Sequence, residues 1–385
     1  MQLKNILLHS CLLGLCVVVG IFLYNHMHQE YPIDEEYAEA ATETTEQAEA
    51  VAFPLVYQKE VDEQLKFDVK IEAGTALSGG EFTMATAQKQ KLNEAFIAEQ
   101  LIGNELLPTS YKSTDEEGEK IVLDVYDNGG KFLAVSESSF TYTKSPDIDY
   151  IHHTFYPDSK TDQYNSFLYS QSSDLDFMDR EAAWDAVVAQ LEAMEVDMSR
   201  AIPTTVFSMD LETMKQEERY VDHNDNIVLS EKNPHWDKEE EGYRYSITQE
   251  YEGIPLYAYK RVDTWYGETD APMTVFQNAN GFMEIKLLRW FAITEQEEKA
   301  RLVPIDEIMS VVEEKYTGTI HTNPLTVKEA NLYIFPIKNE EGIYVLTPVW
   351  VCRIEEEHTG EIAFKSYICM ALNALTGEEM PSLVD

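Results

Sequence analysis

The chain has 385 residues, 44% of them hydrophobic and 11% aromatic, which is core material for about two domains at a typical ~150 residues each. Its 70 acidic against 29 basic residues give a formal charge of −41, which repels phosphate backbones and anionic headgroups and sets nucleic acid aside as a partner. Acidity on this scale serves solubility, or a surface that attracts cations and basic peptides.

Residues 6–24 follow Lys4 and carry no formal charge, close to the ~20 residues that cross hydrocarbon as one helix. No Lys or Arg recurs until Lys59, so the positive side is expected in the cytoplasm and the rest of the chain outside it. A cleaved signal peptide and a lipoprotein, through Cys11 or Cys16, are the rival readings, and all three export the body of the protein. Residues 25–52 are rich in acids and lack Lys and Arg, the composition of a self-repelling tether. His26 and His28 fall at its start, in an interfacial position.

Beyond the tether, "QLKFDVKIEA" alternates Leu65, Phe67, Val69 and Ile71 as a half-buried strand does. "KLNEAFIAEQLIG" has helical spacing, with Gly103 as its stop. Asp127, Asn128, Gly129 and Gly130 separate two β-rich runs and predict a hairpin, because these residues tolerate positive φ. A helix is expected behind an Asp179 cap, with Trp184, Val187, Val188, Leu191 and Met194 on one stripe.

In the second half, strands are expected at 243–250, 255–265, 273–277 and 282–290. Pro304 then opens a helix with Ile305, Ile308, Met309, Val312 and Tyr316 on one face and Gly318 as its stop. Three further strands follow, at 326–337, 343–354 and 362–372. A helix laid on an antiparallel meander, with no run of βαβ crossovers, is an α+β arrangement.

Short motifs in this half carry a resemblance. Pro348 and Trp350, then Asn373, Ala374 and Gly377, form "P-x-W … N-A-x-x-G"; Tyr245, Gln249, Tyr251, Gly253 and Pro255 form "Y-x-x-x-Q-x-Y-x-G-x-P". Over about 140 residues the chain resembles YycI-type regulatory proteins and the broader PepSY-like domains. That resemblance implies a non-catalytic protein, anchored by an N-terminal helix, whose external domain contacts a sensor histidine kinase or another envelope protein. Residues 53–240 carry no such likeness. Asn373 and Gly377 have a structural explanation of their own, since Asn satisfies backbone groups where a ladder ends and Gly takes positive φ.

As chemistry, the remaining constellations are sparse. Cys352 and Cys369 are each about eight residues from the expected turn near Gly360, so they form either a disulfide, if their Cβ atoms lie within ~4.5 Å, or two buried thiols. His152 and His153, read as strand neighbours, point to opposite faces and share no metal. "VDHNDN" at 221–226 starts like a calcium loop, but Ile227 and Asn233 stand where its Gly and its bidentate Glu belong. No G-x-S-x-G, H-E-x-x-H or S-x-x-K motif occurs, so neither an enzyme nor a cofactor is expected. Tyr243, Tyr245, Tyr257, Tyr259 and Trp265 are the candidate partner-binding aromatics, with core or cross-strand packing as the alternative.

The sequence thus predicts an α+β protein with an N-terminal transmembrane helix, then antiparallel sheets, each with one or two helices, in two subdomains. Residues 1–5 are assigned to the cytoplasm, 6–24 to the anchor and 25–52 to the tether. An external domain at 53–240 and a PepSY/YycI-like domain at 241–385 complete it. Its expected partner is a protein in or near the membrane; a secreted or lipid-anchored binding module for a wall component or peptide is the alternative, with a hydrolase third.

Overall fold

A computed structural model of the protein describes residues 50–103, 106–115, 118–144, 147–157, 164–219, 233, 235–257, 271–319, 321–359 and 363–383. The anchor and most of the tether expected at 6–24 and 25–52, the loop at 221–226, Tyr259 and Trp265 lie outside them. The first part of the chain contributes strands β1 (Val51–Ala52), β2 (Val56–Glu60), β3 (Leu65–Glu72), β4 (Leu77–Ser78) and β5 (Glu81–Lys89), then helix α1 (Glu94–Leu101). Next come β6 (Thr109–Thr114), β7 (Lys120–Asp127), β8 (Lys131–Val135), β9 (Phe140–Lys144), α2 (Asp147–His152), α3 (Arg180–Glu192), β10 (Ala201–Met209) and α4 (Leu211–Glu217). The rest holds β11 (Gly242–Tyr251), β12 (Ile254–Pro255), β13 (Met273–Asn278), β14 (Gly281–Leu287), β15 (Phe291–Arg301), α5 (Ile305–Thr317), β16 (Leu325–Lys338), β17 (Tyr344–His358) and β18 (Phe364–Asn373).

Two large sheets result. The first runs β15-β5-β17-β16-β3-β2, with β18 also on β17; the second runs β10-β11-β13-β14-β9-β8-β7-β6, with β12 also on β11. Pairing is antiparallel except between β3 and β16, which run parallel. The expected division at 240/241 does not coincide with the sheets, because each draws strands from both sides of that position. Local periodicity marks strands, but not which distant strand completes a sheet.

The alternation in β3 is realised: Leu65, Phe67, Val69 and Ile71 are buried and the residues between them are exposed. With Ile305, Ile308, Met309, Val312 and Tyr316 of α5 they form the core of the first sheet, around Trp350 and Cys352. In the second sheet, α1 and α3 cover one face, meeting Tyr243, Tyr245, Ile247, Val275 and Ile285. The Asp179 carboxylate caps α3 by accepting from Ala182 N at 2.8 Å, as its sequence predicts. On the opposite face α2 and α4 pack Ile148, Ile151 and Met214 against Phe207, Phe276 and Met283. A bulge makes this possible: Phe276 pairs with Glu284 and Gln277 with Phe282, so Met283 is the extra residue and joins the α2 side.

Several expectations are corrected. Of the strand expected at 255–265, residues 258–265 lie outside the described residues and β12 ends at Pro255, while an eleven-residue strand not expected, β15, follows Trp290. Its residues are mostly exposed and include three acids, Glu295, Glu297 and Glu298, so it lacks the alternation that betrays a strand. His152 ends helix α2 instead of lying in a strand. No helix among the described residues is long and apolar enough to cross a membrane, and the segment expected to do so, 6–24, lies outside them.

Candidate functional site

Strand β11 is the splice between the two cores. Its side chains at alternate positions serve the second sheet first, with Tyr243, Tyr245 and Ile247 buried there, while Tyr251 at its end lies in the core of the first sheet, 5.7 Å ring to ring from Phe82. Between them Gln249, 3% exposed, donates from Nε2 to Phe291 O at 2.8 Å and accepts from Phe291 N at 2.9 Å, so it acts as one rung of ladder for the start of β15. Gly253 turns the chain at φ +73°, against Gly74 at φ +57°; a Cβ on Gly253 would stand 1.7 Å from Thr75 Oγ1. Pro255 pairs with Glu250, and Tyr257 N donates to Ile334 O at 2.7 Å, which fastens the hairpin to β16.

The second motif closes the chain. Trp350 is fully buried with Phe53 at 5.0 Å, edge to face, and Pro348 O accepts from Ala374 N at 2.8 Å. Asn373 Oδ1 accepts from Leu375 N at 2.8 Å, its carbonyl accepts from Gly377 N at 2.8 Å, and Gly377 sits at φ +78°. The Asn-Ala-x-x-Gly run is therefore the turn where β18 ends, with the Asn373 amide oxygen and carbonyl both spent on backbone.

The candidate aromatics separate. Tyr243 and Tyr245 are fully buried, so neither is a contact surface. Tyr243 Oη donates to Met178 O at 2.8 Å and accepts from Leu175 N at 2.7 Å. Tyr257 stacks on Phe335, with ring centroids 4.4 Å apart, and meets Tyr333 edge to face on the sheet face opposite α5. Cys352 and Cys369 form no disulfide. The register pairs Cys352 with Met370 and Cys369 with Arg353, so the two thiols are one step out of opposition and point to opposite faces. Burial pushes the Cys352 thiol up to about 12, which leaves it protonated and inert.

The most concentrated charge is one that sequence patterns did not flag. Glu284 of β14 is fully buried, and three basic side chains converge on it. Arg244 Nη1 from β11 lies 3.0 Å from Oε2; His152 Nε2 from α2 and Lys286 Nζ lie 3.0 and 2.9 Å from Oε1. Phe155 closes the far side of the guanidinium, whose Cζ stands 5.1 Å from its ring centroid. Burial would raise the carboxyl, but the His152 hydrogen bond and the Arg244 and Lys286 charges outweigh it and hold Glu284 well below the usual carboxylate range. Its oxygens are occupied, and a carboxylate so saturated neither donates a proton nor offers a coordination position. Beside it, Asn165 joins Thr154 O to Glu217, and Glu218 accepts from Trp236 Nε1 at 2.9 Å. This network ties α2 and the segments around α4 onto the sheet. The signal in the sequence was Glu284 itself, an acid inside "GFMEIKLL", whose other residues apart from Lys286 call for burial.

At the far end of the first sheet, Glu356 accepts from Asn323 Nδ2 at 2.9 Å and Ser366 Oγ at 3.2 Å, with His358 Nε2 at 3.4 Å; His358 stacks on Phe364. No group of three His, Cys, Asp or Glu among the described residues is placed to hold a metal ion.

No family model matches the chain, and no curated protein matches it. Among solved structures, an uncharacterized protein from Eubacterium rectale ATCC 33656 shares the fold at TM-score 0.56 and 14% identity, over 85% of this chain and 93% of that one. The C-terminal domain of Bacillus megaterium YpeB aligns at TM-score 0.29 and 10% identity, over 74% of this chain and 92% of that domain, a likeness too weak to bear on the architecture. The fold is common ground with the first of these; neither speaks to the YycI type.

Proposed function

We propose that this chain is a non-catalytic regulatory or scaffolding protein of the bacterial envelope, held to the membrane by residues 6–24 and carrying its two-sheet body outside the cytoplasm. The observation that carries the reading is the charge asymmetry around that apolar run, with Lys4 before it and no Lys or Arg for 34 positions from 25 to 58 after it. In support, the residues of both short motifs are spent on turns, ladder ends and the splice between cores. That is what a scaffold asks of them. The partner is a protein in or near the membrane, of which a sensor histidine kinase is the class that the YycI resemblance suggests.

Membrane fractionation combined with C-terminal reporter fusions tests the proposal. The full-length chain should sediment with membranes, resist extraction by high salt and show activity of an export-dependent reporter. A soluble chain shortened by the N-terminal segment would replace the anchored regulator with the secreted binding module, and a reporter active only inside the cell would overturn both.

A further inference from the structure

The edges of the two sheets are not equally protected. Edge strand β15 carries Glu295, Glu297 and Glu298 and breaks register between Glu295 and Lys299. In β10 the register shifts at Pro203, and Ser170 O takes the Ser208 N–H. The end of β18 is covered where Met380 N donates to Ala371 O, and β2 is short, with Lys59 held by Glu313 of α5 at 2.5 Å. Acids, bulges, prolines and covers are the usual means of keeping an edge from pairing. Among the described residues strand β6 has no acid, bulge, proline or cover within it; its one charged residue is Lys112, and Pro108 stands just before it. Its six residues, "TSYKST", are all exposed, pair in unbroken register with β7 alone among the described strands, and include no acid in a chain that is 70 acids long in 385.

We infer that β6 is a self-association edge, which pairs antiparallel with β6 of a second copy of this chain about a two-fold axis at Tyr111. A two-fold axis perpendicular to the sheet keeps each face on its own side, so residues opposite one another must be an even number apart or identical. Centring on Tyr111 sets Tyr111 against Tyr111 of the second copy, an aromatic cross-strand pair, and Thr109 against Ser113 on the same face. Leu123, the partner of Tyr111 across β7, extends that apolar strip. On the other face Lys112 stands opposite Ser110, whose Oγ donates to Asp124 Oδ1 at 2.6 Å, so each lysine arrives beside an aspartate of the other copy. Centring on Lys112 would instead oppose two ammonium groups. The global charge of −41 works against association, but beyond ~8 Å it is screened at physiological salt. Six residues bury less than the ~1,600 Å² of a standard stable interface, so the dimer belongs to the weak class and is favoured by high local concentration. The inference goes beyond the proposed envelope role and does not need it.

Site-directed disulfide trapping on the purified full-length chain tests the register. Residues directly opposite place Cα atoms about 4.5–5.5 Å apart, whereas diagonal neighbours lie ~7–8 Å apart, beyond comfortable bridging. Tyr111→Cys should therefore give a dimer joined at position 111 under mild oxidation, above the wild-type background. A mixture of Thr109→Cys and Ser113→Cys chains should give the mixed dimer, and Lys112→Cys about tenfold less. Tyr111→Glu, at a residue 53% exposed and so tolerant of substitution, should weaken self-association by about tenfold or more in sedimentation experiments, as facing carboxylates repel. Equal trapping at 109, 111, 112 and 113, or a wild-type chain monomeric at about 100 µM, would overturn the inference. So would capture of a different protein at β6 with no trapping between copies.

Discussion

The first sheet packs α5 on a face whose core, from Val69 and Phe82 to Trp350 and Cys352, holds no charged side chain among the described residues. The second sheet has helices on both faces, and on one of them it buries an ionised glutamate under Arg244, His152 and Lys286. Burying apolar area stabilises without regard to direction, whereas a buried ion pair is weak as net stabilisation but severe when broken, and it accepts one arrangement of partners. The first sheet is thus held by shape, and the α2 side of the second by registry. That side is also where the chain has least helix to offer, since α2 and α4 are only six and seven residues long. We read the charged network as what positions segments too short to be placed by their own apolar faces.

The two kinds of core can be challenged in order of expected effect. Trp350→Ala should cost about 3–5 kcal/mol in denaturant unfolding, because a fully buried indole leaves a cavity its neighbours fill only in part. A loss below about 1 kcal/mol would show that shape does not dominate the first sheet. Glu284→Gln should cost about 2–3 kcal/mol near neutral pH, moderated because His152 and Lys286 reach solvent. Its pH dependence has a definite sign. The folded-state carboxyl titrates well below its ordinary value of 4.5, so its stabilisation is complete above that value and is lost as pH falls through the window beneath it. Wild type and Glu284→Gln should therefore converge on acidification, and a gap that stays constant down to the acid unfolding limit would contradict the network. Gly253→Ala should cost about 1–2 kcal/mol, for a strained positive φ and a displaced Thr75, and should loosen the splice between the sheets in hydrogen exchange. Smallest of all, a reducing agent should leave the melting temperature unchanged, since no bridge worth ~2–4 kcal/mol joins Cys352 to Cys369. Cys352 should resist alkylation until the chain unfolds.

Much of the fold was legible where burial follows a local period. The alternation of β3, the apolar stripe of α5, the Asp179 cap and the Asp127 to Gly130 hairpin turn all appear as expected, the last with Gly129 at φ +78°. Strand β15 was not legible, because an exposed edge selects acids that carry no period. The thiols show how narrow the margin is: an estimate of equal distance from a turn put them opposite each other, and one residue of register sends them to opposite faces. Of the candidate recognition residues, Tyr243 and Tyr245 were core, and the charged centre was found only once Glu284, Arg244 and His152, up to 132 positions apart, stood together.

From the sequence by itself came the class of the molecule: an acidic α+β chain whose strands, helices and turns announce themselves through spacing, capping and glycine, since those depend on residues within a few positions of one another. Which strands share a sheet was decided only in three dimensions. Arg301 pairs with Glu81, and β3 runs parallel to β16, across separations that no local period can encode. The same holds for the charge on Glu284, because a buried carboxylate stays ionised only when donors and charges such as Arg244 of β11 and His152 of α2 are brought within about 3 Å of it from other elements.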